Sequence, residues 1–127
     1  MKKIVIFSEE SIVSGCVKCG ISEVVDSLAN SLTSDYSVSV VCVDGNGKMG
    51  RTAIEFREIE PNVQYGRFLQ VDYYLIKQSE WPALGIDLTN RLAPDIFHNF
   101  YIPSVIEGIN LPSAKKVFTF DDGVFLK

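Results

Sequence analysis

Apolar positions along the chain fall into short aliphatic runs separated by polar loops and one long helical stripe. Residues 3–8, Lys3-Ile4-Val5-Ile6-Phe7-Ser8, hold a continuous aliphatic run, the pattern of a strand covered on both faces, as in a parallel sheet. A polar, glycine-containing loop follows from Glu9 to Cys19. Ile21, Val24, Val25, Leu28, Ala29 and Leu32 then recur at the spacing of one helix face, which predicts an amphipathic helix. Glu23 and Asp26 lie in its first turns, where acidic side chains suit the helix dipole. Val38, Val40, Val41 and Val43 predict a strand over about 37–43. Strand, loop, helix and strand together form a βαβ unit, whose crossover is right-handed almost without exception.

The segment from Asp44 to Gly50 is rich in turn residues. From Thr52 to about Gln78 the text is strand-like, with Ile54, Phe56, Ile59, then Tyr65 to Leu69, then Val71 to Ile76. Pro61-Asn62 interrupts it, so two or three extended segments are expected, arranged as a hairpin. A helix is expected from about Glu80 to Leu92, followed by a strand over about 95–100, a short helix after Pro103 and a final strand over 116–120. This alternation predicts an α/β, Rossmann-like fold with a mainly parallel, doubly wound sheet, the first strand central, in a single domain spanning residues 1–127. Ligands of such sheets sit beyond the carboxyl ends of the strands. Three segments would meet there: Ser8–Gly20, His98–Tyr101 and Thr119–Gly123.

Composition narrows the function classes. With 127 residues the chain has room for one core. A net charge of −4 argues against a nucleic-acid or anionic-membrane surface. The adjacent pairs Lys2-Lys3 and Lys115-Lys116 read as solvated strand flanks. No apolar run approaches the roughly 20 residues of a membrane span. The apolar run after Lys3 stops at Phe7, too soon for the core of a signal peptide, so it reads as a strand. Three cysteines do not suggest a disulfide framework, and a reducing, cytoplasmic home is expected.

Three sequence motifs, in order, resemble the N-terminal catalytic domain of the glycogen and starch synthases, two-domain glycosyltransferases of the GT-B type. The first is Ile4-Val5-Ile6-Phe7-Ser8-Glu9 with Lys18-Cys19-Gly20-Ile21-Ser22-Glu23-Val24-Val25, similar to a strand ending in Ser-Glu and a Lys-Thr-Gly-Gly-Leu loop before a helix. The second is Pro94-Asp95-Ile96-Phe97-His98-Asn99-Phe100-Tyr101, similar to Pro-Asp-Val-Val-His-Ala-His-Asp. The third is Ala114-Lys115-Lys116-Val117-Phe118-Thr119-Phe120-Asp121-Asp122, similar to Ala-Lys-Ser-Val-Phe-Thr-Val-His-Asn. The resemblance implies a nucleotide-sugar or α-glucan ligand, with Lys18, Gly20, His98, Tyr101, Asp121 and Asp122 as substrate-binding candidates. The family transfers glucose from ADP-glucose or UDP-glucose to an α-1,4-glucan, and no cofactor or metal is implied.

The departures from the family pattern carry chemistry of their own. The paired glycines shrink to Gly20 with Cys19 before it, and Lys18 stands one place out of register. Phe100 and Tyr101 replace a His and an Asp, and Asp121 replaces an imidazole. An imidazole can donate to a sugar hydroxyl, whereas a carboxylate only accepts unless protonated. The chain reaches Lys127 without the nucleotide-gripping second half of the family, so the expectation is a domain inactive by itself. Apolar Val124-Phe125-Leu126 after the last strand would then favour a homo-oligomer.

Other residues carry chemistry that competes with plainer readings. Cys16-Val17-Lys18-Cys19 has C-x-x-C spacing before a helix, the alternative being a thiol redox or metal-binding module on Cys16 and Cys19. A zinc set adding Cys42 and His98 is conceivable, although Cys42 in its valine run reads as buried filler. Gly45-x-Gly47-x-x-Gly50 follows the second strand and opens no helix, so a dinucleotide loop fails its context. Tyr65, Phe68, Tyr73 and Tyr74 suit a packed strand better than a glucan platform.

Overall fold

The fold is taken from a computed structural model, which describes residues 1–17, 20–45, 55–101 and 108–118. Seven strands form one sheet: β1 (Lys2–Phe7), β2 (Tyr36–Val43), β3 (Arg57–Glu60), β4 (Val63–Phe68), β5 (Val71–Ile76), β6 (Ile96–Asn99) and β7 (Lys115–Phe118). Two α-helices are described, α1 (Ile21–Ser31) and α2 (Ala83–Leu92), with a 3₁₀ turn at Gln78–Glu80. The strand order is β3-β4-β5-β2-β1-β6-β7.

β1 lies inside the sheet, parallel to β2 on one side and to β6 on the other. Its residues Ile4 to Phe7 are buried on both faces, which is what a continuous aliphatic run requires. Ile4 and Ile6 pack with Val38, Val40 and Cys42 beneath Ile21, Val25 and Ala29 of α1. Val5 and Phe7 face the other way, with Val41, Phe97 and Leu88 of α2. The helical stripe is rotated from the expected one: Val24 is half exposed, while Ser22 and Asp26 are buried. Six aliphatic positions spread over more of the helix than one sheet contact can cover, so Val24 falls outside it.

The expected Rossmann-like, mainly parallel, doubly wound sheet is corrected by these pairings. The sheet is mixed and strand-rich, with two described helices against seven strands. Between β2 and β5 no helix occurs among the described residues; instead β3, β4 and β5 form an antiparallel meander. The cause is local. Residues 57–76 are dense in β-branched and aromatic side chains and contain two tight reversals, so hairpin pairing closes before any crossover is needed. The Pro61–Asn62 break is the β3–β4 turn, with Asn62 at φ 70°. The expected helix at 80–92 divides into the 3₁₀ turn and α2, separated at Trp81-Pro82. The expected short helix after Pro103 and the chain beyond Phe118, including the proposed association patch, lie outside the described residues.

The meander joins the rest of the sheet through the parallel β5–β2 ladder, and one ion pair ties its outer strand to α2. Arg91 of α2 grips Glu60 of β3 with two parallel bonds, Nη1 to Oε1 at 2.7 Å and Nη2 to Oε2 at 2.9 Å, and its Nε donates to Asp87. Glu60 is thereby held below the usual carboxylate range. Exposed pairs of this kind contribute little individually, but the fork fixes geometry.

The β4–β5 reversal carries a test of local strain. Leu69 and Gln70, the two residues between the paired Phe68 and Val71, have φ of 49° and 69°. Two-residue hairpins of this hand favour Asn-Gly, because both positions need left-handed backbone. Replacing Leu69 by Asn and Gln70 by Gly is expected to raise unfolding free energy by about 1–2 kcal/mol in denaturant titration. A destabilised double variant would show that the reversal has another geometry.

Candidate functional site

Parallel register gathers the strand ends. Phe7 pairs with Asn99, and Asn99 with Phe118, so the ends of β1, β6 and β7 form one row. The ladder runs past them: Ser8 N donates to Val41 O at 3.0 Å and Phe100 N to Phe7 O at 2.8 Å. On the far side, Asp44 N donates to Ile76 O. The edge is therefore built from the loop after Phe7, the Asp44–Gly45 corner and the Phe100–Tyr101 corner.

The loop after β1 is a closed structure. Ser11 and Cys16 form an antiparallel bridge, Ser14 Oγ donates to Ser11 O and receives Cys16 N, and Gly15 N reaches Ile12 O. Gly15 has φ 81°, a left-handed value that glycine adopts without cost. Gly45 N donates to Ser14 O, and a Cβ on Gly45 would come within 2.3 Å of the Gly15 backbone. The two glycines thus allow the β2 corner to lie directly against the loop.

Asp26 holds this loop from below. Its carboxylate accepts Ser11 Oγ at 2.9 Å, Ile12 N at 2.7 Å and Tyr73 OH at 3.2 Å, joining the loop to α1 and β5. Burial pushes its pKa above the usual carboxylate range, and the hydrogen bonds it accepts pull it partly back. Burial likewise raises the Tyr73 hydroxyl and the wholly buried Cys42 thiol. The sequence offered no sign of this role beyond an acid one turn into a helix.

On the α2 side of the same edge lies an aromatic cluster. Phe7 stacks on Trp81 at 4.7 Å, Tyr101 meets Trp81 edge-on at 5.5 Å, and Phe97 completes the group at 5.9 Å from Phe7. Asn99 fixes the Tyr101 corner by donating to Tyr101 O and accepting Tyr101 N. Nothing in the sequence flanking Trp81 marks it as part of this cluster.

The sequence-predicted residues distribute unevenly over this edge. Lys18, Cys19, Asp121 and Asp122 lie outside the described residues. Gly20 caps α1 with an ordinary φ of −73°, and a Cβ there would meet no atom within 4 Å. His98 is half-buried and stacks on Phe100 at 4.6 Å, on the α1 side, where burial lowers its pKa. Tyr101 belongs to the opposite, α2 side. The sheet therefore separates His98 from Tyr101. Cys16 and Cys42 are both buried, which disfavours an accessible, reactive thiol at either. Among the described residues no three His, Cys, Asp or Glu side chains converge to hold a metal ion. Of the tyrosine stretch, Tyr73 is core, while Tyr65 and Tyr74 form a cross-strand pair whose Tyr65 hydroxyl donates to Asp72 at 2.6 Å.

No protein-family model matches the chain, and neither does any curated protein or solved structure. No described helix is long and apolar enough to cross a membrane.

The Asp26 hub predicts a definite pH dependence. Folding raises its pKa above 3.8, so the native state binds the proton more tightly than the unfolded chain. The protonated form favours folding below the folded pKa, and stability declines as pH rises through that value. Tyr73→Phe removes a donor to the charged form and is expected to cost about 1–3 kcal/mol near neutrality. In acid, where Asp26 is protonated, the loss should be smaller. An equal loss at both pH values in urea titrations would contradict the linkage.

Proposed function

We propose that the chain is a glycosyl-ligand-binding domain related to the N-terminal half of glycogen and starch synthases, and that these 127 residues do not themselves turn over a sugar nucleotide. The observation that carries this reading is the row formed by Phe7, Asn99 and Phe118. It sets the strands bearing all three family-like motifs side by side, with their carboxyl ends at one edge. Loops that leave parallel strands at a common end can present their groups to one ligand from a rigid scaffold. The lack of turnover follows from side-chain chemistry: Asp121 and Tyr101 stand where the family resemblance implies an imidazole and an acid, and a carboxylate at the transferred sugar opposes the negative charge developing on the departing diphosphate. A reducing, cytoplasmic location accords with the cysteine usage.

The competing thiol reading loses ground through the burial of Cys16. Stabilising a thiolate needs an exposed, electropositive setting, and Cys16 sits instead inside the closed loop.

The test is transfer of labelled glucose from ADP-glucose and UDP-glucose to glycogen, paired with calorimetric titration of maltoheptaose and of both nucleotides. Binding of at least one ligand with no turnover above a boiled control is expected. Turnover would overturn the inactivity, and an absence of binding to every ligand would overturn the family reading.

A further inference from the structure

The outer flank of the sheet holds a cavity that the strand-end edge does not use. It measures about 480 Å³ and is lined by Glu55, Phe56, Arg57, Tyr65, Gly66 and Arg67. Arg67 pairs with Asp72 near the start of β5, so the cavity lies toward the end of the sheet opposite the row of Phe7, Asn99 and Phe118. Its volume is that of a small-molecule site. Both arginines are exposed, so a solute reaches it directly.

Strand pairing builds the walls. Arg57 and Tyr65 are cross-strand partners, and the Arg57 guanidinium lies over the Tyr65 ring at 5.7 Å, a contact that favours one placement of its fork of donors. Tyr65 is anchored in turn, its hydroxyl donating to Asp72 at 2.6 Å, and Arg67 Nη1 donates to the same carboxylate oxygen at 3.2 Å. Phe56, next to Arg57, turns to the other face and packs on the core beneath α1. A Cβ on Gly66 would come within 2.6 Å of the Phe56 ring, so glycine in mid-strand leaves the space that this ring fills.

Opposite charges line the cavity without meeting. Glu55 forms no hydrogen bond or ion pair with a described residue, and Arg57 makes no contact of that kind beyond the Tyr65 ring. Each therefore keeps its acceptors or donors for a solute. Asp72 already answers Arg67, which leaves one charge of each sign. A simple anion would satisfy Arg57 and be repelled by Glu55, and a simple cation would meet the reverse. A ligand with an ammonium and a carboxylate on neighbouring atoms answers both, and an apolar side chain on it would pack against the Phe56 and Tyr65 rings.

We infer that this cavity binds a free α-amino acid with an apolar side chain, its carboxylate on Arg57 and its ammonium on Glu55. The site is separate from the strand-end edge and independent of the glycosyl reading.

The probe is L-phenylalanine, titrated calorimetrically and followed through amide shifts in NMR spectra. Saturable binding is expected, with shifts centred on residues 55–57 and 65–67. Phenylpropionate, which lacks the ammonium, and phenethylamine, which lacks the carboxylate, should each bind at least about tenfold more weakly. Arg57→Gln and Glu55→Gln should each weaken L-phenylalanine about tenfold, with circular dichroism confirming that both variants are folded. Glu55→Gln should leave phenylpropionate bound no more weakly than before, because a repelling charge has gone; a merely structural role for Glu55 would weaken both ligands. Absence of saturable L-phenylalanine binding, shifts confined to other residues, or undiminished affinity in both folded variants would overturn the site. Phenylpropionate or phenethylamine binding as tightly as L-phenylalanine would overturn the assignment to an amino acid.

Discussion

The placement of β1 between two parallel neighbours is the constraint on which the remaining structure depends. Ile4 to Phe7 cannot be solvated on either face, so both faces of the strand must be covered. One face receives α1 and the other receives α2 with the chain around Leu111. A parallel pair cannot be closed by a tight turn, so the chain between β1 and β2 must cross over the sheet, and α1 is that crossover. The same pairing aligns the ends of β1 and β6, which is why Phe7, Trp81 and Tyr101 meet.

Polar burial refines this frame. A loop that crosses the end of a buried strand has main-chain groups with nowhere to go unless the loop bonds to itself or to a neighbour. The Ser8–Cys16 segment does both, through its serine hydroxyls and through Asp26. The buried carboxylate is costly to desolvate, and three donors offset much of that cost. The loop position is thus linked to α1 and β5 through one side chain, and the β2 corner follows because Gly45 lies against Gly15.

The extent to which the sequence disclosed this arrangement varied with the kind of signal. The aliphatic runs at Ile4–Phe7 and Val38–Val43 and the stripe from Ile21 to Leu32 located β1, β2 and α1, because long-range burial leaves a periodic trace. The meander was legible as extended segments broken at Pro61-Asn62 and arranged as a hairpin, but its attachment through β5 to β2, which makes the sheet mixed, left no periodic trace. At the edge, His98 and Tyr101 were both marked by a motif, but they take opposite faces because side chains alternate along a strand. Asp26 looks like a dipole partner in the sequence, since nothing in a helix sequence shows that an acid will turn inward toward Ser11 and Tyr73. Trp81 is similarly silent, its position set by contacts with Phe7 and Tyr101, both distant in sequence.

The central claim, that β1 runs parallel between β2 and β6 and so gathers the strand ends, is tested most directly by inter-strand nuclear Overhauser contacts. The account predicts cross-peaks in parallel register on both sides of β1, linking Ile4 with Val38 and Ile96, and Phe7 with Val41 and Asn99. Contacts from β1 to the meander, or an antiparallel pattern on either side, would contradict it.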